Sequence, residues 1–219
     1  MSDTTIIYYT SNRENPSFEA RIQQTIIEEM GNLDLPIISV SQKPTYFGKN
    51  ICVGEVGFSG HNAWRQFQIG ALAAKTRFVC TAEADCLHAR EYYEFEPKSD
   101  NTFYIGNPLW VLFAQRGKVK SFYRKSGSES SMIIGREFII DIIDKMLDGL
   151  GKWHDPTQPD LSSIMYKLGK REDFEMSIPI ITFKTDNNMH RKTPYSRSSG
   201  TKELPYWGMA GDLVRRYCG

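Results

Sequence analysis

Short runs of β-branched and aromatic residues alternate with segments of helical periodicity through the first 85 residues of the chain. The runs at 5–10, 36–40 and 77–81 predict buried strands. Asn15-Pro16 opens a predicted helix that ends at Gly31, and a second helix is predicted over 61–75. Small residues on this second helix would let it lie close to a sheet. Because strands and helices alternate, the order predicts right-handed crossovers and a largely parallel sheet.

The pattern is less regular in the second half of the chain. The predicted elements there are strands at 103–105, 108–113, 118–123 and 179–184, an amphipathic helix at 136–147 and a short helix capped by Asp160. The polar, basic tail from Thr185 onward contains many turn residues, and it predicts a segment that is frayed or held by a ligand. We therefore expect one α/β domain over 1–219, with halves at 1–90 and 91–219.

Composition narrows the class of protein. Of 219 residues, 40% are hydrophobic and 12% aromatic, which is enough to bury a core. The net charge of +1 argues against a dedicated polybasic or acidic protein. No basic leader precedes an apolar stretch, and the cysteines are far apart, without a Cys-x-x-Cys pair. These features predict a cytoplasmic, reduced protein without a disulfide framework or a zinc ribbon.

Two carboxylates follow the third predicted strand, in the sequence Thr81-Ala-Glu83-Ala-Asp85. In an extended backbone, residues two apart point to the same side, so Glu83 and Asp85 would converge where open α/β sheets bind ligands. Paired carboxylates favour a divalent cation, and oxygen ligands favour Mg²⁺ or Mn²⁺. The alternative is a solvated strand end whose acidic residues face water.

This acidic triplet after a strand–helix–strand–helix–strand half resembles the Asp-x-Asp motif of GT-A glycosyltransferases, with Glu83 in place of the first aspartate. The first strand, which runs into Thr10-Ser11-Asn12, is similar to the nucleotide-lining strand of that family. Asn62 and Arg65, in the helix before the motif, resemble groups that the family places near the sugar nucleotide. The resemblance implies a Rossmann-like three-layer sandwich with a mostly parallel central sheet. Small transferases of bacterial viruses that glycosylate hydroxymethylated pyrimidines in DNA look similar in size and outline.

The resemblance also implies a chemistry. Asp85 would hold Mn²⁺ or Mg²⁺ against the diphosphate of a nucleoside-diphosphate sugar, while Glu83 would reach the ribose or the sugar. The family often adds a histidine from the C-terminal part, and His190 is the candidate here. Arg191 and Lys192, beside it, suit a diphosphate. An ordinary exposed loop histidine is the alternative interpretation of His190.

An inverting transfer requires a carboxylate that deprotonates the acceptor hydroxyl. Asp155, which follows Trp153 in a Pro-interrupted loop, resembles the aromatic-plus-acid acceptor loops of inverting relatives, and we predict that it is the base. Asp160 is more economically a helix cap, and Glu172-Asp173 an exposed turn. A retaining enzyme would need no such base, and the sequence does not distinguish the two stereochemistries.

Basic residues interleaved with aromatic ones suggest a nucleic-acid acceptor. One cluster comprises Arg116, Lys118, Lys120, Arg124 and Lys125, and the tail adds Lys184, Arg191, Lys192, Arg197 and Lys202. Alternatively, the first cluster is a solvated face and the second a nucleotide lid. Two other functions stay open: a nucleotidyltransferase that makes nucleotide sugars, although the loop 10–16 lacks the glycines typical of that class, and a non-catalytic nucleic-acid-binding domain.

Overall fold

The computed structural model describes residues 3–116, 118, 120–157, 168–188 and 200–219. Over these residues the strands are β1 Thr4–Thr10, β2 Ile37–Ser41, β3 Lys49–Cys52, β4 Phe78–Glu83, β5 Cys86–Leu87, β6 Thr102–Phe113, β7 Phe122–Lys125, β8 Met132–Gly135, β9 Lys170–Lys184, β10 Glu203–Leu204 and β11 Gly208–Met209. The helices are α1 Pro16–Met30, α2 Gly60–Ala73, α3 Arg90–Glu94, α4 Arg136–Met146 and α5 Ala210–Cys218, with a 3₁₀ turn at Glu129–Ser131. None of these described helices combines the length and the apolar character that a membrane crossing needs.

A single large sheet organises the molecule, with the strand order β3-β2-β1-β4-β8-β6-β9-β5. Strands β1 to β4 are mutually parallel. β8 lies between β4 and β6 and is antiparallel to both, so β6 runs in the same direction as β1 to β4. β9 is parallel to β6. Strand β7 pairs antiparallel with the second half of β6. The prediction of a mostly parallel central sheet is therefore confirmed.

Helices cover both faces of this sheet. Residues of β1 alternate: Ile6 and Tyr8 pack with α1 and α5, whereas Ile7 and Tyr9 pack with α2 and α4. Every residue of β1 is buried, as expected for a central strand that is covered on both sides. The predicted three-layer sandwich is thus confirmed, with the core divided into two apolar layers by the sheet.

Small residues do bring α2 close to the sheet. A Cβ atom added at Gly70 would lie 2.4 Å from Cγ2 of Ile7 and 3.4 Å from Cγ2 of Val40. Asn15 caps α1 by accepting the backbone N–H of Ser17, as its position before Pro16 predicts.

Four sequence-based predictions need correction in the second half. The two strands predicted around Pro108 are one strand, β6, and the strand predicted at 118–123 is β7, which begins at Phe122. Glu172 and Asp173 lie within β9 instead of forming a turn. The tail predicted as irregular contains α5, whose Tyr217 hydroxyl hydrogen-bonds Thr25 of α1 at 2.7 Å. The predicted helix after Asp160 lies outside the described residues.

Candidate active site

A cleft of about 240 Å³ opens where β1 and β4 end. Six residues of the first half that line it are Tyr9, Thr10, Ser11, Asn62, Glu83 and Asp85. The second half contributes Lys125, Ser128, Glu129, Lys184, Asn187 and Asn188. The cleft therefore lies at the carboxyl ends of parallel strands, which is where open α/β sheets bind ligands, and both halves of the chain form it.

The acidic pair forms one wall of the cleft. Glu83 ends β4 and is paired in register with Tyr9 of β1, whose hydroxyl donates a 2.6 Å hydrogen bond to Glu83 Oε1. The chain then turns at residues 84 and 85, so the extended geometry expected from the sequence does not continue. The turn still brings the carboxylates together: ligand atoms of Glu83, Asp85 and Cys86 all lie within 4.8 Å of one another.

The electrostatics of this cluster suit a hard cation. Burial and the Asp85 carboxylate raise the pKa of Glu83 to about 7. Burial, Asp85 and Glu83 together raise the pKa of the Cys86 thiol well above its ordinary value, so the thiol stays protonated and acts as a weak donor to both carboxylates. Because the available anionic donors are oxygens, the residues fit Mg²⁺ or Mn²⁺ better than a thiophilic metal.

Asp85 is held from the second half of the chain. Its Oδ2 accepts a 2.8 Å hydrogen bond from Nδ2 of Asn188, and its backbone carbonyl accepts the N–H of Phe183 in β9. Neither contact comes from an arginine or a lysine, so the carboxylate keeps its charge available toward the cleft. Sequence reasoning did not single out Asn188.

The predicted nucleotide-binding strand end is organised by a buried carboxylate. Glu19 of α1 accepts the hydroxyl of Thr10 at 2.8 Å and the amide Nδ2 of Asn12 at 3.4 Å, and its burial raises its pKa. Thr10 and Ser11 line the cleft as expected. Asn12, which has a left-handed φ of 53°, instead turns its Oδ1 to the backbone N–H groups of Gln42 and Lys43. Its side chain thus secures the loop after β2.

Asn62 and Arg65, both predicted as sugar-nucleotide contacts, have different positions. Asn62 lines the cleft; its Nδ2 donates to the Val56 carbonyl, and its Oδ1 accepts the N–H of His154. Arg65 is absent from the cleft lining, and it contacts Gln68 at 2.7 Å and Asp144 of α4 at 3.7 Å. The structure brings together Asn62 and the acidic pair, with Arg65 outside the cleft.

The predicted base, Asp155, and a second carboxylate, Glu129, have different surroundings. Asp155 is exposed, and its Oδ1 accepts both the N–H and the hydroxyl of Thr157. The hydrogen bonds from Thr157 lower the pKa of Asp155, which weakens it as a base. Glu129, at the start of the 3₁₀ turn, is half-buried and lines the cleft directly. No sequence motif marked Glu129.

One residue of the basic cluster, Lys125, lines the cleft. Its Nζ donates to Ser128 at 3.0 Å, whereas Arg124, the preceding residue of β7, is exposed. Lys120 donates to the Gln115 carbonyl at 2.6 Å, and Arg116 and Lys118 are exposed in the connection between β6 and β7. Lys184, the last residue of β9, also lines the cleft. The tail residues His190, Arg191, Lys192 and Arg197 lie outside the described residues.

Comparison with known proteins defines the fold. No protein-family model matches the chain, and no curated protein matches it in sequence. Among solved structures, Staphylococcus aureus TarS 1–349 in complex with UDP-GlcNAc superposes with a TM-score of 0.50 and 10% identity, covering 84% of this chain and 59% of that one. A glycosyltransferase involved in glycosylation of the major capsid of PBCV-1 gives 0.45 and 11%, over 78% of this chain and 81% of that one.

The chain also matches the bifunctional IspDF of Campylobacter jejuni with a TM-score of 0.44 and 13% identity, over 80% of its own length. It spans 50% of the length of IspDF and 59% of the length of the TarS fragment. At 10% identity, the likeness to the TarS fragment shows the fold alone. The chain has an α/β fold of the GT-A, Rossmann-like type, with a mostly parallel central sheet.

Proposed function

We propose that the protein is a metal-dependent glycosyltransferase that moves a sugar from a nucleoside-diphosphate sugar to an acceptor hydroxyl. The observation that carries the proposal is the convergence of Glu83 and Asp85 in a cleft at the ends of β1 and β4. The GT-A-type fold shared with the UDP-GlcNAc-bound TarS fragment supports it.

The proposed metal site centres on Asp85, with Glu83 as its neighbour. A bound Mn²⁺ or Mg²⁺ would supply positive charge that offsets the charge of the departing diphosphate. Lys125, Lys184 and Arg13, which line the same cleft, would bind the phosphate oxygens. The proposal extends to His190 as a further ligand and to Arg191 and Lys192 as diphosphate contacts. His190 follows Asn188, the hydrogen-bond partner of Asp85, by two positions.

We propose that the nucleoside lies on the first-half side of the cleft. Thr10 and Ser11 at the end of β1, together with Asn62 at the start of α2, would donate and accept hydrogen bonds there. Phe58 offers an exposed ring at the same rim, with the guanidinium of Arg13 3.5 Å from its centroid. A planar base could stack against the Phe58 ring or the Arg13 guanidinium at this rim.

If the transfer inverts the sugar carbon, a carboxylate on the second-half side must accept the proton of the acceptor. The proposal includes two candidates, Asp155 from the sequence and Glu129 from the cleft lining. Glu129 is favoured because it lines the cleft, whereas Asp155 is not among the lining residues.

For the acceptor we propose a hydroxymethylated pyrimidine in DNA. The support is the basic cluster of Arg116, Lys118, Lys120, Arg124 and Lys125 beside the cleft, of which Lys125 lines it. Phosphates of a DNA strand would bind these side chains while an exposed base enters the cleft.

The direct test is hydrolysis of a panel of UDP and GDP sugars in the presence of Mn²⁺. We expect slow hydrolysis by the wild-type protein, and we expect Asp85→Asn to abolish it with little change in the metal-free melting temperature. Asp186→Asn is the matched control, because Asp186 is exposed outside the cleft lining and accepts the backbone N–H of Arg116. A panel that neither reacts nor shifts the melting temperature contradicts the proposal.

A nucleotidyltransferase is the alternative on the same sheet and carboxylates. It would join a sugar phosphate to the nucleotidyl group of a nucleoside triphosphate and release pyrophosphate. A glycosyltransferase releases a nucleoside diphosphate, so the products distinguish the two activities. A non-catalytic nucleic-acid-binding domain would bind DNA equally well after Asp85→Asn and would hydrolyse no donor.

A further inference from the structure

The carboxamide of Asn188 bridges two parts of the chain at the edge of the acidic cluster. Its Nδ2 donates to Asp85 Oδ2 at 2.8 Å and to the Phe183 carbonyl at 2.7 Å. A carboxamide nitrogen has two hydrogens, so both are used and the orientation of the group is fixed. The Asp85 carboxylate is therefore tied to the segment that follows β9, 103 positions further along the chain.

Asn188 is itself held in place by its own segment. The Thr185 hydroxyl oxygen accepts the backbone N–H groups of Asn187 at 3.0 Å and of Asn188 at 3.2 Å. The same hydroxyl donates to Oε1 of Glu14 at 2.6 Å. Glu14 lies in the loop between β1 and α1 and lines the cleft. A continuous chain of hydrogen bonds thus connects this loop, the end of β9 and the acidic motif.

The chemistry of an amide suits this position. A lysine or arginine in place of Asn188 would neutralise Asp85, whereas a neutral N–H donor orients the carboxylate and leaves its charge in place. Oδ2 of Asp85 is occupied by Asn188, and among the described residues Oδ1 receives the weak thiol donor of Cys86 at 3.4 Å and no other hydrogen bond. Oδ1 is therefore the oxygen of Asp85 that is more open to a cation.

The oxygen of the Asn188 carboxamide is a second observation that favours a cation next to this cluster. Oδ1 of Asn188 is buried and has no hydrogen-bond partner among the residues that the structure describes. A buried, unpaired amide oxygen is costly, and an amide oxygen is a hard donor of the type that Mg²⁺ and Mn²⁺ accept.

We propose that Asn188 is a positioning residue: it fixes the Asp85 carboxylate from the second half of the chain and thereby sets the affinity of the acidic cluster for a divalent cation. The inference rests on the metal dependence of the proposed function, and it adds a residue that no motif marked. Loss of partners that orient metal ligands typically weakens metal affinity 10- to 100-fold.

The test measures Mn²⁺ binding directly, from the electron paramagnetic resonance signal of free Mn²⁺ during titration of the protein without nucleotide. We expect Asn188→Ala to weaken Mn²⁺ binding by about tenfold or more. Asn187→Ala is the matched control, because the adjacent Asn187 side chain makes no hydrogen bond to Asp85 in the described part of the chain. The Mn²⁺ affinity of this variant should stay within about twofold of wild type. Equal affinity in Asn188→Ala and wild type overturns the inference.

The outcomes separate this inference from the proposed function. If Asp85→Asn loses Mn²⁺ binding and Asn188→Ala retains it, the metal site stands and the role of Asn188 is wrong. If Asn188→Ala weakens Mn²⁺ binding but no nucleotide sugar is hydrolysed, Asn188 positions a metal ligand in a protein with another activity. If the wild-type protein does not bind Mn²⁺, both ideas are wrong.

Discussion

The hydroxyl of Tyr9 donates a 2.6 Å hydrogen bond to Oε1 of Glu83, and the two residues are directly paired across β1 and β4. This pairing buries the first carboxylate of the acidic motif next to the second. Burial and the proximity of Asp85 raise the pKa of Glu83 to about 7 from an ordinary value of 4.5. The two carboxylates therefore repel each other when both are ionised, and a bound cation would offset this repulsion.

The raised pKa of Glu83 predicts a pH-dependent stability. Between pH 4.5 and about pH 7 the folded protein binds more protons at Glu83 than the unfolded chain, so this group's contribution to stability falls as the pH rises through that range. Glu83→Gln keeps an oxygen that accepts the Tyr9 hydroxyl but does not ionise. Without divalent cations, the melting temperature of Glu83→Gln should therefore gain on that of wild type between pH 5 and pH 7.5.

Mn²⁺ provides the control for this effect. A bound cation stabilises the ionised form of Glu83, so saturating Mn²⁺ should raise the melting temperature of wild type more at pH 7.5 than at pH 5. A gap between wild type and Glu83→Gln that stays constant with pH would show that Glu83 is ionised normally in the folded protein.

The identity of the base gives a second prediction. We expect Glu129→Gln to lower the rate of donor hydrolysis by about 10²- to 10⁴-fold, the usual contribution of a general base. Asp155→Asn serves as the comparison and should retain the rate within a few-fold, because Thr157 already engages its carboxylate. Donor binding, measured by the nucleotide-induced shift in melting temperature, should be unchanged in both. The reverse ranking identifies Asp155, and equal, wild-type rates point to a retaining mechanism.

The elements of the first half could be predicted from the sequence because short-range sequence signals mark them. Asn15 before Pro16 marks a helix start, and β1 consists of β-branched and aromatic residues and is buried on both faces. The second half lacks such local marks. β8 is only four residues long, and it depends on its pairing with β4 and β6. α5 mixes charged and apolar residues in a tail that is otherwise polar, and it depends on tertiary contacts such as the Thr25–Tyr217 hydrogen bond.

The site shows the same division between local and long-range information. Glu83 and Asp85 are two positions apart in the sequence, and their proximity in the cleft could be predicted. Glu129 reaches the cleft because β8, which follows it, pairs with β4, and Asn188 reaches it because β9 pairs with β5. No spacing in the sequence indicates these long-range pairings. Arg65 was chosen from a motif resemblance, but the helix turns its side chain toward Asp144 of α4.

The close approach of α2 to the sheet gives a prediction about stability. Gly70→Ala would place a methyl carbon 2.4 Å from Cγ2 of Ile7, which is fully buried. Overpacking of this kind costs about 1–3 kcal/mol, and the better helix propensity of alanine offsets up to about 1 kcal/mol. We expect a net loss of about 1–2 kcal/mol in the free energy of unfolding, measured by urea denaturation. Leu72→Ala, on the exposed side of the same helix, should change it by about 0.5 kcal/mol or less.

The basic cluster beside the cleft gives a prediction about the acceptor. If Lys118 and Lys120 contact DNA phosphates, Lys118→Glu combined with Lys120→Glu should weaken binding to hydroxymethylated DNA and reduce the dependence of log affinity on log salt by about 2. The measurement is an electrophoretic shift between 50 and 200 mM salt, a range chosen to resolve that slope. Lys75→Glu with Lys145→Glu changes the charge equally at exposed residues outside the cleft lining and should leave the slope unchanged. Binding that does not respond to salt, or an equal loss in the control, would exclude DNA as the acceptor.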